Sequence, residues 1–121
     1  MSADPYSARV RALFANPAHA GGLDGGRTVA VAGQDVRLEL SAAVAGERLD
    51  ALRFRAWACP HVIAAAEAAC ARLEGARIAE LLEFSAVDLM DNLAVPVEKT
   101  GRILVLEDAV RSLGQALRDG T

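Results

Sequence analysis

Aromatic side chains are scarce in this chain of 121 residues: one Trp, one Tyr and three Phe, 4% in all. A core built from a few large rings is therefore excluded. Much of the 53% hydrophobic content is alanine, so the core must close by packing small side chains between helices and a sheet. There are only two cysteines, Cys59 and Cys70, and no CxxC or paired Cys/His spacing. That excludes a structural zinc site of the usual kind. A helix carrying both thiols would hold their Cα atoms about 16 Å apart, too far for a disulfide. Both read as free thiols of a reducing compartment. No run approaches the roughly 20 apolar residues of a membrane span. Met1-Ser2-Ala3-Asp4-Pro5 has no signal-peptide pattern. The net charge is −3, with Lys and Arg dispersed, so neither nucleic acid nor a membrane is expected as a partner. The reading is a cytoplasmic protein with one domain over residues 1–121.

The order of elements follows from periodicity and turn signals. Tyr6, Val10, Leu13 and Phe14 fall at helical spacing, predicting a helix over 5–14 with Asp4 as N-cap and Pro5 at its first position. A glycine-rich loop follows over 18–27, with Gly21-Gly22 and Gly25-Gly26. It is not a phosphate loop, because no Gly-Lys-Ser/Thr follows it and no strand precedes it. Residues 28–32 form a short strand, and Gly33 and Gln34 a turn. Val36, Leu38 and Leu40 alternate with Arg37, Glu39 and Ser41, the pattern of a sheet with one wet face. Ala45-Gly46-Glu47-Arg48 is a hairpin turn, and Leu52, Phe54, Ala56 and Ala58 alternate with Arg53, Arg55 and Trp57. Three strands thus form an antiparallel meander. Pro60 opens a helix with Val62, Ala66, Ala69, Cys70 and Leu73 as its buried stripe, ending at Glu74-Gly75. Short helices follow over 78–83 and 86–93, the second begun by a weak capping box from Ser85 and Asp88. Residues 94–101 read as a linker. A last helix from about Arg102 carries Ile103, Leu106, Val110, Leu113 and Leu117 on one stripe, before a frayed tail over 119–121. The fold class is α+β, with helices on one face of a three-stranded antiparallel sheet.

The chemistry concentrates at Arg55-Ala56-Trp57-Ala58-Cys59-Pro60-His61, where the last strand gives way to a helix. A sulfur just before a helix meets free N–H groups and the positive end of the dipole, which lower a thiol pKa. Continuing the alternation puts Cys59 opposite the main core, beside a half-buried Trp57. The alternative is that Cys59 is a small apolar filler and His61 a surface residue. Cys70 lies on the helix stripe and reads as core. His19, in the glycine-rich loop, reads as solvated, and Asp35 as a turn-capping aspartate at the mouth of the strand pair. A metal site from these parts draws on Cys59 and Asp35, with His61 or His19 as further ligand candidates. A Cys–His hydrolase is disfavoured, because His61 two residues from Cys59 is poorly placed on such a turn. The chain is not expected to be an enzyme.

The order of these strings resembles the IscU/NifU-type iron–sulfur cluster scaffold family along almost the whole chain. Tyr6-Ser7, Asn16-Pro17 and Gly22-Leu23-Asp24 are similar to the family's opening helix and its NP…GLD loop. Gly33-Gln34-Asp35-Val36 falls where the family has Cys-Gly-Asp-Val. FRAWACPHVI over 54–63 resembles F-x-x-x-G-C-x-x-x-I. Thr100-Gly101-Arg102-Ile103-Leu104 with Glu107-Asp108-Ala109 resembles H-C-S-x-L-x-x-E-D-A. The resemblance implies an IscU/SufE-like fold and a nascent [2Fe–2S] cluster held by three cysteines and an aspartate. Of that set, Cys59 and Asp35 match. Gly33 and Gly101 stand in place of the other two cysteines, and Thr100 in place of the neighbouring histidine. Ala94-Val95-Pro96-Val97-Glu98 only partly echoes the chaperone motif L-P-P-V-K. The implied role is a cluster-assembly scaffold that binds iron or a labile [2Fe–2S] cluster through a reduced ligand set. The implied partners are a cysteine desulfurase or other assembly proteins, with a homodimer as one way to complete the ligands. The glycines at 33 and 101 suggest that backbone conformation is kept where thiol chemistry is dropped. The alternative role is an interaction module that binds the sulfur donor without building clusters.

Overall fold

The computed structural model describes residues 6–119. The order is α1 (Ala8–Ala15), β1 (Arg27–Gly33), β2 (Val36–Ala45), β3 (Arg48–Trp57), α2 (Pro60–Leu73), α3 (Ile78–Leu82), α4 (Val87–Leu93), a 3₁₀ turn (Val97–Lys99) and α5 (Thr100–Asp119). The expected Asp4–Pro5 helix start and the last two residues of the expected tail lie outside the described residues; Asp119 itself belongs to α5. Among the described residues, no helix is long and apolar enough to cross a membrane.

The three strands form an antiparallel sheet in the order β1-β2-β3, as the alternation predicts. Val36, Leu38, Leu40 and Ala42 of β2 and Leu52 and Phe54 of β3 are buried on one face, and α2 and α5 pack there. The other face carries a charged ladder: Glu39 pairs with Arg37 at 3.6 Å and with Arg55 at 3.9 Å. β3 is not a bare edge. Phe54 donates its N–H to the His19 carbonyl at 2.9 Å and accepts from the Gly21 N–H at 2.8 Å, so the glycine-rich loop runs beside it. Further along, Leu49 bonds Ala76 and Gly75, and the Leu52 N–H donates to Glu74 Oε2 at 2.9 Å.

α2 is the central helix. It is buried almost all round, not along one stripe, with Ala64, Ala65, Ala68 and Glu67 buried as well, because α1, α4, α5 and β3 all pack on it. Its alanines make this possible, since small side chains let several neighbours approach together. α5 approaches α3 closely. A Cβ on Gly114 would stand 2.8 Å from the Leu81 Cβ, so only glycine fits there without movement.

Several element ends differ from expectation. The described helix α1 begins at Ala8, and Ser7 caps it by accepting from the Val10 N–H at 3.1 Å. Phe14, placed on the buried stripe by its spacing, is 43% exposed. At the start of α4, Ser85 Oγ accepts from the Val87 N–H at 3.4 Å, but the box is not closed; the Ala86 N–H is taken by Oε1 of Glu107, reaching from α5 at 3.0 Å. The stretch 94–101 is not all linker, because α5 starts at Thr100 and draws Gly101 into its first turn.

Candidate functional site

Three chain segments converge at one end of the sheet. The first is the β1–β2 turn. Gly33 pairs with Val36, so the turn residues are Gln34 and Asp35, not Gly33 and Gln34. Both have positive φ, 52° and 60°, the geometry of a type I′ turn, which matches the right-handed twist of the flanking strands. Asp tolerates this conformation better than Gln does. The second segment is the end of β3, where Trp57 pairs with Arg37 at the start of β2. The third is the first turn of α5. A Cβ on Gly33 would lie 3.8 Å from Val105, and one on Gly101 would lie 3.3 Å from Oε1 of Gln34. The turn therefore sits against α5.

Cys59 stands where β3 has ended and α2 begins. It is the N-cap residue, with φ −72° and ψ 163°, ahead of Pro60. Strand alternation stops at Trp57, so it no longer decides which way Cys59 points. The residue is half-buried against the edge of the core, not opposite it. Trp57 is more open than expected, 55% exposed, with the Arg37 guanidinium 5.2 Å from its ring centroid. Burial of the Cys59 thiol works against its ionisation. It is outweighed by the Val62 N–H, the Arg102 side chain, the Lys99 charge and the His61 N–H, which together hold its pKa below the ordinary thiol value. The helix N-terminus expected from sequence is thus present, joined by two cations that local reading did not assign to the sulfur. Arg102 follows Gly101 in α5, and only the folded chain brings it to Cys59.

The other candidates divide. Asp35 is exposed in its turn at the same end of the sheet. His61 is not a surface residue: it is 1% exposed, its ring 4.8 Å from that of Tyr6. It addresses Cys59 through its backbone N–H. Cys70 is core, and burial drives its thiol pKa far above the ordinary value. His19 is not loosely solvated, because its Nδ1 lies 2.6 Å from Oε2 of Glu67 and its Nε2 lies 3.4 Å from Oε1 of Glu74. Neither Gly33 nor Gly101 has a positive φ. Nothing in the backbone demands glycine at either place, so a conserved conformation does not explain them. Beside the site, Phe14, Pro17, Phe54, Trp57 and Ile63 line an open groove of about 390 Å³. Among the described residues, no group of three or more His, Cys, Asp or Glu side chains is arranged to hold a metal ion.

The fold recurs in solved structures. A nitrogen-fixing NifU-like protein (N-terminal part) from Brucella abortus superposes with a TM-score of 0.74 at 15% identity, covering 95% of each chain. A hypothetical protein solved at 2.3 Å gives 0.72 at 15% identity, over 88% of this chain and 96% of the other. FiSufU from Fervidobacterium islandicum AW-1, described as a candidate iron–sulfur cluster assembly scaffold for the SUF system, gives 0.61 at 13% identity, over 94% and 87%. No curated protein matches the sequence. The sequence model of the NifU-like N terminal domain matches residues 5–116. With the meander, the central helix and the Cys59 junction in place, the chain belongs to the NifU-like N-terminal domain family.

Proposed function

We propose that this chain is a scaffold-like protein of iron–sulfur cluster assembly, with Cys59 as its working group, Asp35 as companion, and iron or a labile [2Fe–2S] cluster as cargo. One observation carries the reading. The thiol with the lowered pKa sits at the sheet end where the Asp35 turn and the start of α5 meet. A thiolate is the preferred ligand of iron in such clusters, and a [2Fe–2S] cluster takes four ligands. One chain offers one cysteine sulfur and one carboxylate, so by itself it does not fit a complete cluster. The missing ligands must come from outside, from a small thiol such as glutathione or from another protein chain. What this chain contributes is a thiol whose ionisation Val62, Arg102 and Lys99 favour, and a carboxylate on a tight turn.

The test is anaerobic reconstitution with ferrous iron, sulfide and glutathione, read by visible absorbance and by iron content after desalting. Wild type is expected to gain sulfide-to-iron charge-transfer bands, with Cys59→Ser losing them and Asp35→Ala weakening them. A colourless, iron-free wild type sinks the reading.

A second reading is favoured by the cations at the sulfur. Arg102 and Lys99 oppose a bare metal cation but suit an anionic sulfur species. In this reading the chain binds a sulfur donor, such as a cysteine desulfurase, without building a cluster. Retention of the chain on an immobilised desulfurase, together with failure of reconstitution, would select it.

A further inference from the structure

The two edges of the sheet are unlike. The β3 edge is covered by the glycine-rich loop, by Glu74 and by residues 75–77. Among the described residues β1 has one neighbour, β2, and no backbone hydrogen bond outside the helices and sheet involves residues 27–33. Open edges are usually guarded by a lysine, a proline, a bulge or a charge. Residues 28–33, Thr-Val-Ala-Val-Ala-Gly, contain neither a charge nor a proline, and the one register shift lies between β2 and β3.

We propose that two copies of this chain pair through their β1 edges, antiparallel, about a two-fold axis at Ala30. The hydrogen-bond phase sets the register. Gly33 and Val36 flank a two-residue turn and so bond one another directly. Alternation then turns the N–H and C=O groups of Val31 and Val29 toward β2, and those of Ala32, Ala30 and Thr28 outward. With Ala30 opposite the partner's Ala30, Thr28 meets the partner's Ala32, and all three outward residues are used at once. About six interchain backbone hydrogen bonds result. The side chains offer no obstacle, since Thr28, Ala30 and Ala32 are small and exposed. Val29 faces the partner's Val31, and both are only partly buried in the single chain. Charge agrees with this register. Exposed Arg27 falls opposite the partner's Gly33, beside the turn that carries the partner's exposed Asp35. The contact is self-complementary and closes at two copies.

The arrangement is independent of the cluster reading and limits it. Gly33 lies three residues from the axis, so the two Gly33 positions stand roughly 20 Å apart along the shared strands. The two Cys59 sites then occupy opposite ends of a six-stranded sheet, and this dimer does not pool their ligands.

The experiment is sedimentation equilibrium of the full chain, without iron, from micromolar to about 100 µM. Wild type is expected to be dimeric at the upper end of that range. Ala30→Pro, which removes an outward N–H, and Thr28→Lys combined with Ala32→Lys, which charges the edge, are each expected to be monomeric with an unchanged circular dichroism spectrum. A wild type that is monomeric throughout, or folded variants that remain dimeric, overturns the proposal. Should both variants misfold, hydrogen exchange on wild type decides. Protection of the Thr28, Ala30 and Ala32 amides that fades on dilution supports the pairing, and protection indifferent to concentration refutes it.

Discussion

Nδ1 of His19 lies 2.6 Å from Oε2 of Glu67, and the backbone N–H of His19 donates to Oε1 of the same carboxylate at 2.7 Å. Glu67 is in the middle of α2 and only 4% exposed. The glycine-rich loop is thereby fastened to the central helix by both ends of one carboxylate. The next residue, Ala20, can then bridge to Phe54 and cover β3.

Removing that carboxylate should loosen the loop. Glu67→Ala leaves the His19 N–H and ring facing a void, a loss of about 1–3 kcal/mol. Urea unfolding measures it. Hydrogen exchange should show the amides of Gly21 and Phe54 losing protection first. Glu67→Gln, which keeps one acceptor, should lose less.

The two cysteines should differ sharply toward alkylating agents. Cys59 is partly accessible with a lowered pKa, whereas Cys70 is buried with a raised one. Iodoacetamide at pH 7.5 should modify one thiol per native chain. Arg102→Leu removes a hydrogen bond and a charge from the sulfur, so the Cys59 pKa rises and the rate at this pH falls severalfold. The pH profile of the rate, followed by mass spectrometry, separates this from a simple loss of access.

Cysteines should be tolerated where the glycines stand. A Cβ at Gly33 meets only ordinary contact, and at Gly101 it meets the movable end of the Gln34 side chain. Gly33→Cys with Gly101→Cys should change stability by no more than about 1 kcal/mol. If the cluster reading is right, the double variant should retain more iron after desalting than wild type. Gly75→Cys is the contrast: at φ +87° it should destabilise clearly.

Acid should weaken the fold in part through Glu74. Partial burial opposes its ionisation, but the Leu52 N–H, Arg53 and the His19 charge outweigh burial and lower its pKa below the ordinary 4.5. Arg53 Nη1 lies 2.6 Å from Glu74 Oε2. A depressed carboxylate contributes stability that is present above its unfolded pKa and is lost as pH falls through the folded value. Arg53→Leu should therefore be most destabilising near pH 7, with the deficit shrinking toward pH 3. Urea midpoints across that range test the sign.

Periodicity and turn chemistry determined much about this protein. Alternation in 36–41 and 52–58 was enough for two strands and their buried face, because one wet side and one dry side leave a period of two in the residues themselves. Gly46 announced the hairpin, Pro60 the start of α2, and Cys59 its place ahead of a helix, since each depends on neighbours in the chain. The family likewise rested on local strings in order. Only the tertiary structure decided what depends on residues far apart. Arg102 and Cys59 are separated by three helices, α2, α3 and α4, and by the 3₁₀ turn, and nothing in either neighbourhood marks them as partners. Glu67 sits in an alanine run, where only the approach of His19 explains a buried carboxylate. The glycine at position 114, in the middle of α5, is explained only by the close approach of α3. Phe14 obeys the period of its helix and still faces solvent, and Trp57, on the wet side of β3 by its period, is more open than the half-burial expected of it, because a period gives a side but not what, if anything, covers it.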